Sequence, residues 1–253
     1  MSLIITTQVG NGVTKLSLNM GRGNPLTPSA NQELLKTLQD LATDPPRALL
    51  LDAQGSKIFS GGFALPVIAP FEREEMRVFL STFMACVDQI LRLPCPSVCA
   101  VSGHAVAAGF ILSLATDFRV VTDASVKLGL PEVNLGMPVP TGAQALFVGR
   151  SSEPFAHRYC STGELFTPAE GYRIGYADEL SSDVDARALQ LAQQLADKPG
   201  LGLRTGRSFL ANALADKVQQ ADAAYMDSFL DAWFVPETQV LIQAQAKKLS
   251  GRS

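Results

Sequence analysis

Apolar and polar positions alternate from Leu3 to Thr7 and again from Val13 to Leu18, on either side of Asn11-Gly12. A period of two around that dipeptide predicts a β-hairpin, because the tightest hairpin turn needs φ above zero at both central positions. The period changes after Thr27-Pro28. Leu34, Leu35, Leu38 and Leu41 then fall on one face of a helix, with Thr27 as its cap and Pro28 in its first turn. Ala48 to Leu51 is a short unbroken apolar run, which reads as a buried strand, and residues 52–70 follow as a loop. From Glu72 to Arg92 a longer helix carries Met76, Phe79, Leu80, Phe83, Val87, Ile90 and Leu91 on one face. That stripe is either plain core or the wall of an apolar tunnel.

Pro94 and Pro96 end this helix. Ser97 to Val101 reads as a strand, Gly103 opens a turn, and small residues from Ala107 to Ala115 read as a helix. Phe118 to Val121 and Val126 to Leu128 are further strands. Strands alternating with helices predict an α/β fold with crossover connections. Beyond residue 140 the strand signals fade. Thr167-Pro168-Ala169-Glu170 is a capping box, and amphipathic segments follow over 184–197, 200–213, 217–234 and 236–249. The expected organisation is an α/β core over residues 1–195 and a helical region over 196–253, with no internal repeat.

Of the 253 residues, 47% are hydrophobic and 18% charged, enough apolar material for a large core. A net charge of −3 argues against a nucleic-acid surface. No apolar run reaches the roughly 20 residues of a membrane span, and no basic segment followed by an apolar one marks the N-terminus for secretion. Cys86, Cys95, Cys99 and Cys160 lack metal-site spacing and read as free thiols in a reducing compartment, so a cytoplasmic location is expected. His104 and His157 are the only histidines, no H-E-x-x-H motif occurs, and a zinc site is not expected. Neither a G-x-S-x-G nucleophile turn nor a phosphate-binding G-x-x-x-x-G-K-[ST] loop is present. Carboxylates and backbone N–H groups in glycine-rich turns are the chemistry left.

Two segments share a design in which a turn of tiny residues follows a strand. Phe59-Ser60-Gly61-Gly62-Phe63-Ala64-Leu65 follows Ala48 to Leu51, and Ser102 to Gly109 follows Val98 to Val101. Such turns let a ligand approach the backbone, and the second also opens a helix, whose free N–H groups favour negative charge. Two converging N–H groups would stabilise an enolate, although tight helix–strand packing asks for the same small residues. The third segment, Leu128-Gly129-Leu130-Pro131-Glu132-Val133-Asn134-Leu135-Gly136, places one carboxylate in an apolar stretch. In a pocket Glu132 would lose solvation and rise toward the range of a useful base; on a surface turn it would do nothing of the kind.

In this order the segments resemble the enoyl-CoA hydratase/isomerase, or crotonase, family. Phe59 to Leu65 is similar to the family's F-S-A-G-A-D block, Val101 to Gly109 to V-N-G-x-A-x-G-G-G, and Gly129 to Gly136 to G-x-P-E-x-x-x-G. Thr167 to Leu180 resembles a fourth, T-A-x-E-A-x-x-x-G-x-V-D-x-V. The resemblance spans nearly the whole chain. It implies a ClpP-like spiral of ββα units with a C-terminal helical trimerisation region, assembled as a homotrimer or dimer of trimers. It implies oxyanion donors at the N–H groups of Phe63 and Ala108, and catalysis by Glu132. The thioester's coenzyme A would run along Gly61, Gly62, Ala64 and Leu65, with Asn24 and Leu26 near the adenine and Pro131 at the reacting end. Coenzyme A is then part of the substrate, and no separate cofactor is expected.

The chain also departs from the family. Its hydratases carry a second glutamate two residues after Gly109, where this chain has Ile111. The first block's Asp is Ala64, and the glycine triplet is Ala107-Ala108-Gly109. One carboxylate in the third block and none in the second resembles the Δ3,Δ2-enoyl-CoA isomerases, which move a double bond with a single acid/base. The expectation is therefore an enoyl-CoA isomerase of acyl-CoA metabolism. The alternatives are a hydratase or other crotonase-type reaction with a second group from elsewhere, and a non-catalytic protein that binds acyl-CoA or a partner. His104 occupies a variable family position and is expected to be structural.

Overall fold

The computed structural model describes residues 2–251; Met1 of the expected core, and Arg252 and Ser253 of the expected helical region, lie outside the described residues. Among them the strands are β1 (Ile4–Gln8), β2 (Val13–Leu18), β3 (Ala48–Asp52), β4 (Ile58–Ser60), β5 (Ser97–Val101), β6 (His104–Val106), β7 (Phe118–Thr122), β8 (Leu128–Gly129) and β9 (Glu179–Ser181). They form two sheets. The larger has the order β1-β2-β3-β5-β7-β9, and the smaller β4-β6-β8. From β3 onward each turn of the chain gives one strand to the large sheet and the next to the small one, then continues into helix. That is a spiral of ββα units.

The hairpin forms as its turn dipeptide requires. Asn11 and Gly12 both have positive φ, 51° and 72°, and β1 and β2 pair antiparallel. All other strand pairs are parallel. Helix α1 (Pro28–Thr43) starts where Thr27 accepts a hydrogen bond from the Ala30 N–H. The unbroken apolar run of β3 has a simple cause: both faces of the sheet are covered. Ala48 and Leu50 pack with Val98, Ala100 and Val120 against Ala188 and Ala192, whereas Leu49 and Leu51 face the main core with Cys99 and Val101. All four cysteines are free and buried.

The expected loop 52–70 contains β4 and a single helical turn, α2 (Leu65–Ile68). The strand expected at Val126 to Leu128 is confined to Leu128–Gly129, where pairing to β6 holds it. Helix α3 (Arg73–Arg92) matches its apolar stripe, and α4 (Ala108–Ala115) follows β6. After residue 140 come α5 (Thr141–Arg150), α6 (Glu153–Thr162), α7 (Pro168–Arg173), α8 (Val184–Ala196), α9 (Gly200–Trp233) and α10 (Pro236–Ser250). The capping box at Thr167 is half formed. Thr167 accepts the Glu170 N–H, but the Glu170 side chain turns to Arg173 and Tyr159 instead of closing the box. The two segments expected at 200–213 and 217–234 are one helix. Along its length α9 meets two partners: Leu214 lies against Gly149 of α5, and Asp216 pairs with Arg92 of α3 at 2.7 Å.

The apolar side chains of residues 196–253 include Phe229, Leu230, Trp233, Phe234, Val235 and Leu241. The first three are already buried, packed with Ile68, Met76, Phe79 and Leu80. The strongly exposed apolar side chains of α9 are instead Leu201, Phe209 and Leu210. No helix among the described residues is long and apolar enough to cross a membrane.

Arg207 ties α9 to the core. Its Nε donates to Asp117 Oδ2 at 2.6 Å, and its other nitrogens donate to the carbonyls of Ile90, Leu91 and Leu93, where α3 ends with unpaired acceptors. Asp117 is further held by the N–H and hydroxyl of Ser97. Truncation by Arg207→Ala leaves a buried carboxylate short of its main partner and should cost about 3–5 kcal/mol, read as a shift in the denaturant midpoint at unchanged slope.

Candidate active site

Strands β4, β6 and β8 lie side by side and parallel, so the segments leaving their carboxyl ends emerge together. These are the three motif segments. They meet around a chamber of about 310 Å³. Glycine makes the meeting possible. A Cβ on Gly109 would fall onto the Ser60 carbonyl, and one on Gly62, at φ 91°, would lie 2.8 Å from the Ala107 Cβ. Ala107 itself has φ 52° and ψ −127°, a region costly for any residue with a Cβ. The sequence thus keeps a strained backbone immediately before α4.

The strain positions Ala108. It is the first residue of α4, so its N–H has no intrahelical acceptor. Phe63 reaches a comparable state by another route. Its bridge to Leu26 uses the Gly62 carbonyl and the Ala64 N–H, which leaves the Phe63 N–H on the opposite edge. Among the described residues neither N–H donates a hydrogen bond, and both residues line the chamber. The Phe63 ring is fixed edge-on by Phe79 at 4.7 Å and Phe83 at 5.0 Å. The apolar stripe of α3 is therefore core that holds Phe63; none of its residues lines the chamber.

Glu132 begins a short 3-10 turn, Glu132–Leu135, that ends at Gly136 in the left-handed conformation. Asn134 Nδ2 anchors this turn to the Gly163 carbonyl at 3.1 Å, and Thr238 Oγ1 of α10 donates to the Gly136 carbonyl at 3.2 Å. Held this way, Glu132 is only 9% exposed, and its Oε2 has no hydrogen-bond partner among the described residues. Burial pushes its carboxyl up from an ordinary 4.5 to about 7, opposed only in part by a hydrogen bond from its own N–H. Among the described residues it is the sole ionisable side chain on the chamber wall, and Ile111 stands there as a buried aliphatic group.

Of the residues singled out in the sequence, Gly61, Phe63, Leu65, Ala108, Pro131 and Glu132 come together on the chamber. Asn24, Leu26, Gly62 and Ala64 lie behind it. Asn24 is buried and donates to the Phe59 carbonyl while accepting the Met20 N–H, which braces the first turn. His104 accepts the Lys127 N–H on Nδ1 at 2.8 Å, a link between strand ends away from the chamber. The remaining wall was not singled out for this role: Val106, Leu135, Met137 and Pro140, with Phe229 and Trp233 of α9 and Gln245 and Leu249 of α10. Phe229 and Trp233 carry no sequence signal beyond being large and apolar. Among the described residues no group of three or more His, Cys, Asp or Glu side chains could hold a metal ion.

The chain matches the enoyl-CoA hydratase/isomerase family profile over residues 8–238. It is 26% identical over 225 residues to a Mycobacterium tuberculosis protein named a probable enoyl-CoA hydratase, EchA17, covering 86% of this chain and 85% of that one. It is 30% identical over 198 residues to the enoyl-CoA isomerase/hydratase fer4 of Mycosarcoma maydis, covering 73% and 71%. Its fold superposes on human mitochondrial Δ3-Δ2-enoyl-CoA isomerase with a TM-score of 0.92 over the full length of both chains, at 21% identity. This chain therefore belongs to the enoyl-CoA hydratase/isomerase family and has the crotonase fold that its motifs led one to expect.

The buried carboxyl has a thermodynamic consequence. Its folded value of about 7 lies above the ordinary 4.5, so its contribution favours folding fully below about 4.5 and is lost as pH rises through 7. The difference corresponds to about 3 kcal/mol, at roughly 1.36 kcal/mol per pH unit. Glu132→Gln should therefore stabilise the protein at pH 8 relative to pH 4. Denaturant unfolding of both proteins at the two pH values measures this, and an equal difference at both would contradict it.

Proposed function

We propose that this protein is an enoyl-CoA isomerase that converts 3-enoyl-CoA to 2-enoyl-CoA with Glu132 as its one acid/base. The observation that carries the reading is that Glu132 is the single ionisable group on the chamber wall among the described residues, with the aliphatic Ile111 on the same wall where a hydratase would carry its second acid. The ionised Glu132 takes a proton from C2. The C2–H electron pair becomes the C1=C2 bond of a dienolate, and negative charge collects on the thioester oxygen between the N–H groups of Phe63 and Ala108. The protonated Glu132 returns its proton to C4, where the C3=C4 pair forms the new C–H bond; the C1=C2 pair shifts to C2=C3, and an oxygen pair re-forms the carbonyl. The proton is conserved, so no water is consumed.

Each part has a magnitude. A positioned acid/base supplies roughly 10²–10⁴ in rate, and one oxyanion donor roughly 10²–10³. The raised carboxyl serves both steps, since a group near 7 is a competent base when ionised and a competent acid when protonated. Coenzyme A would pass along Gly61 and Leu65, and the alkyl end would lie against Pro140 and Phe229; all four line the chamber.

Mixing the protein with 3-enoyl-CoA should raise the ultraviolet absorbance of the conjugated 2-enoyl product. A hydratase would instead lower the absorbance of a 2-enoyl-CoA start, and a protein that only binds would change neither signal. Glu132→Gln should abolish the rise while acyl-CoA binding persists, and kcat/KM of the unmutated protein should climb as pH rises through about 7. Full activity in Glu132→Gln would remove this reading.

Ala108→Pro tests the second donor. Pro is tolerated at the first position of a helix but has no N–H to give. Turnover should fall by about a hundredfold in a protein that still folds. Near-normal turnover in a folded variant would mean that Ala108 is not a donor.

A further inference from the structure

Phe63, Pro140 and Phe229 have a second side. They also border a small enclosed gap of about 10 Å³, the space of one water molecule, closed by Leu80, Phe83 and Met226 and reached by one carboxylate, Asp222. Asp222 sits on α9, half-buried, with its Cβ-bearing face against Gly142 in the first turn of α5. Among the described residues it makes no hydrogen bond and no ion pair, whereas the neighbouring Asp216, Asp227 and Asp231 of the same helix all pair with arginines. The hydroxyl of Thr141, also on the gap, is already given to the Ala221 carbonyl at 2.7 Å. Burial pushes the Asp222 carboxyl up to about 6, so it is chiefly ionised at neutral pH and still unpartnered. On its far side Asp222 reaches an open groove of about 420 Å³ between α3 and α9.

A half-buried carboxylate with no protein partner is favoured by any group that donates to it. The gap shares Phe63, Pro140 and Phe229 with the wall of the Glu132 chamber. From this we propose that Asp222 is a specificity-determining residue at the distal end of the acyl site, selecting acyl groups whose far end carries a hydrogen-bond donor, a hydroxyl or an ammonium. A donor reaching the gap beside Phe63 and Phe229 pairs with the carboxylate. A plain alkyl end of the same length strips water from Asp222 and gives nothing back. The inference rests on the acyl-CoA reading of the Glu132 chamber but not on which reaction runs there.

The test uses binding, so it is independent of turnover. Calorimetric affinities are measured for a series of medium-chain saturated acyl-CoAs and for the same chains ending in a hydroxyl or an ammonium. At the length that reaches Asp222, the unmutated protein should favour the donor-ended chain by about tenfold or more, the usual worth of a hydrogen bond to a charged group. Asp222→Leu should abolish that preference and tighten the plain chains. Asp222→Asn should keep the hydroxyl preference and lose the ammonium preference; because Asn is close to isosteric, it also guards against a folding defect in the Leu variant. Binding of acyl-CoAs with no donor preference at any length, or a preference that survives Asp222→Leu, overturns this inference alone. Absence of binding by any acyl-CoA overturns the acyl-CoA reading and this inference with it.

Discussion

Everything at the site depends on how closely two backbone turns can approach. The turn after β4 and the turn after β6 touch through Gly62 and Gly109, and neither position has space for a Cβ against the facing chain. This contact sets the separation of the Phe63 and Ala108 N–H groups, since both belong to the touching segments. It also forces Ala107 into a left-handed backbone, strain that the parallel pairing of β4, β6 and β8 must hold. The small sheet is therefore more than a second layer. It is the frame that brings three distant stretches of sequence to one edge.

The chamber's electrostatics follow from the same frame. Glu132 leaves β8 through Gly129 and Pro131 and lands among apolar groups from β6, α4 and α9, where its charge is poorly solvated. Other charges in the fold are matched: Asp117 by Arg207 and Ser97, and Arg119 by Asp178 and the carbonyls of Thr116 and Tyr176. Glu132 has no such partner at its Oε2 among the described residues.

Much of this was legible in the residues. The hairpin, α1 and α3 follow from local signals: a turn dipeptide, a cap and an apolar stripe. The three site segments were legible because small residues, proline and a lone glutamate are unusual neighbours for strands. The strands of the small sheet were not, because two or three residues show no period and exist only through their pairing partners. The continuity of α9 was hidden because the helix lies across both α3 and α5, so no single apolar stripe runs its whole length. The C-terminal wall of the chamber was hidden for a different reason. Phe229 and Trp233 look the same in sequence whether they fill a core or border a ligand, and here they do both.

The bond from Thr238 to the Gly136 carbonyl joins the last helix to the turn that carries Glu132, across about a hundred residues of chain. The three motif segments are complete by Gly136, yet the chamber has an open side until Gln245 and Leu249 arrive. During synthesis the chemistry-bearing loops are thus translated long before their enclosure. A chain lacking the final helix would leave the Glu132 turn without its Thr238 anchor and the chamber without the part of its wall made by Gln245 and Leu249.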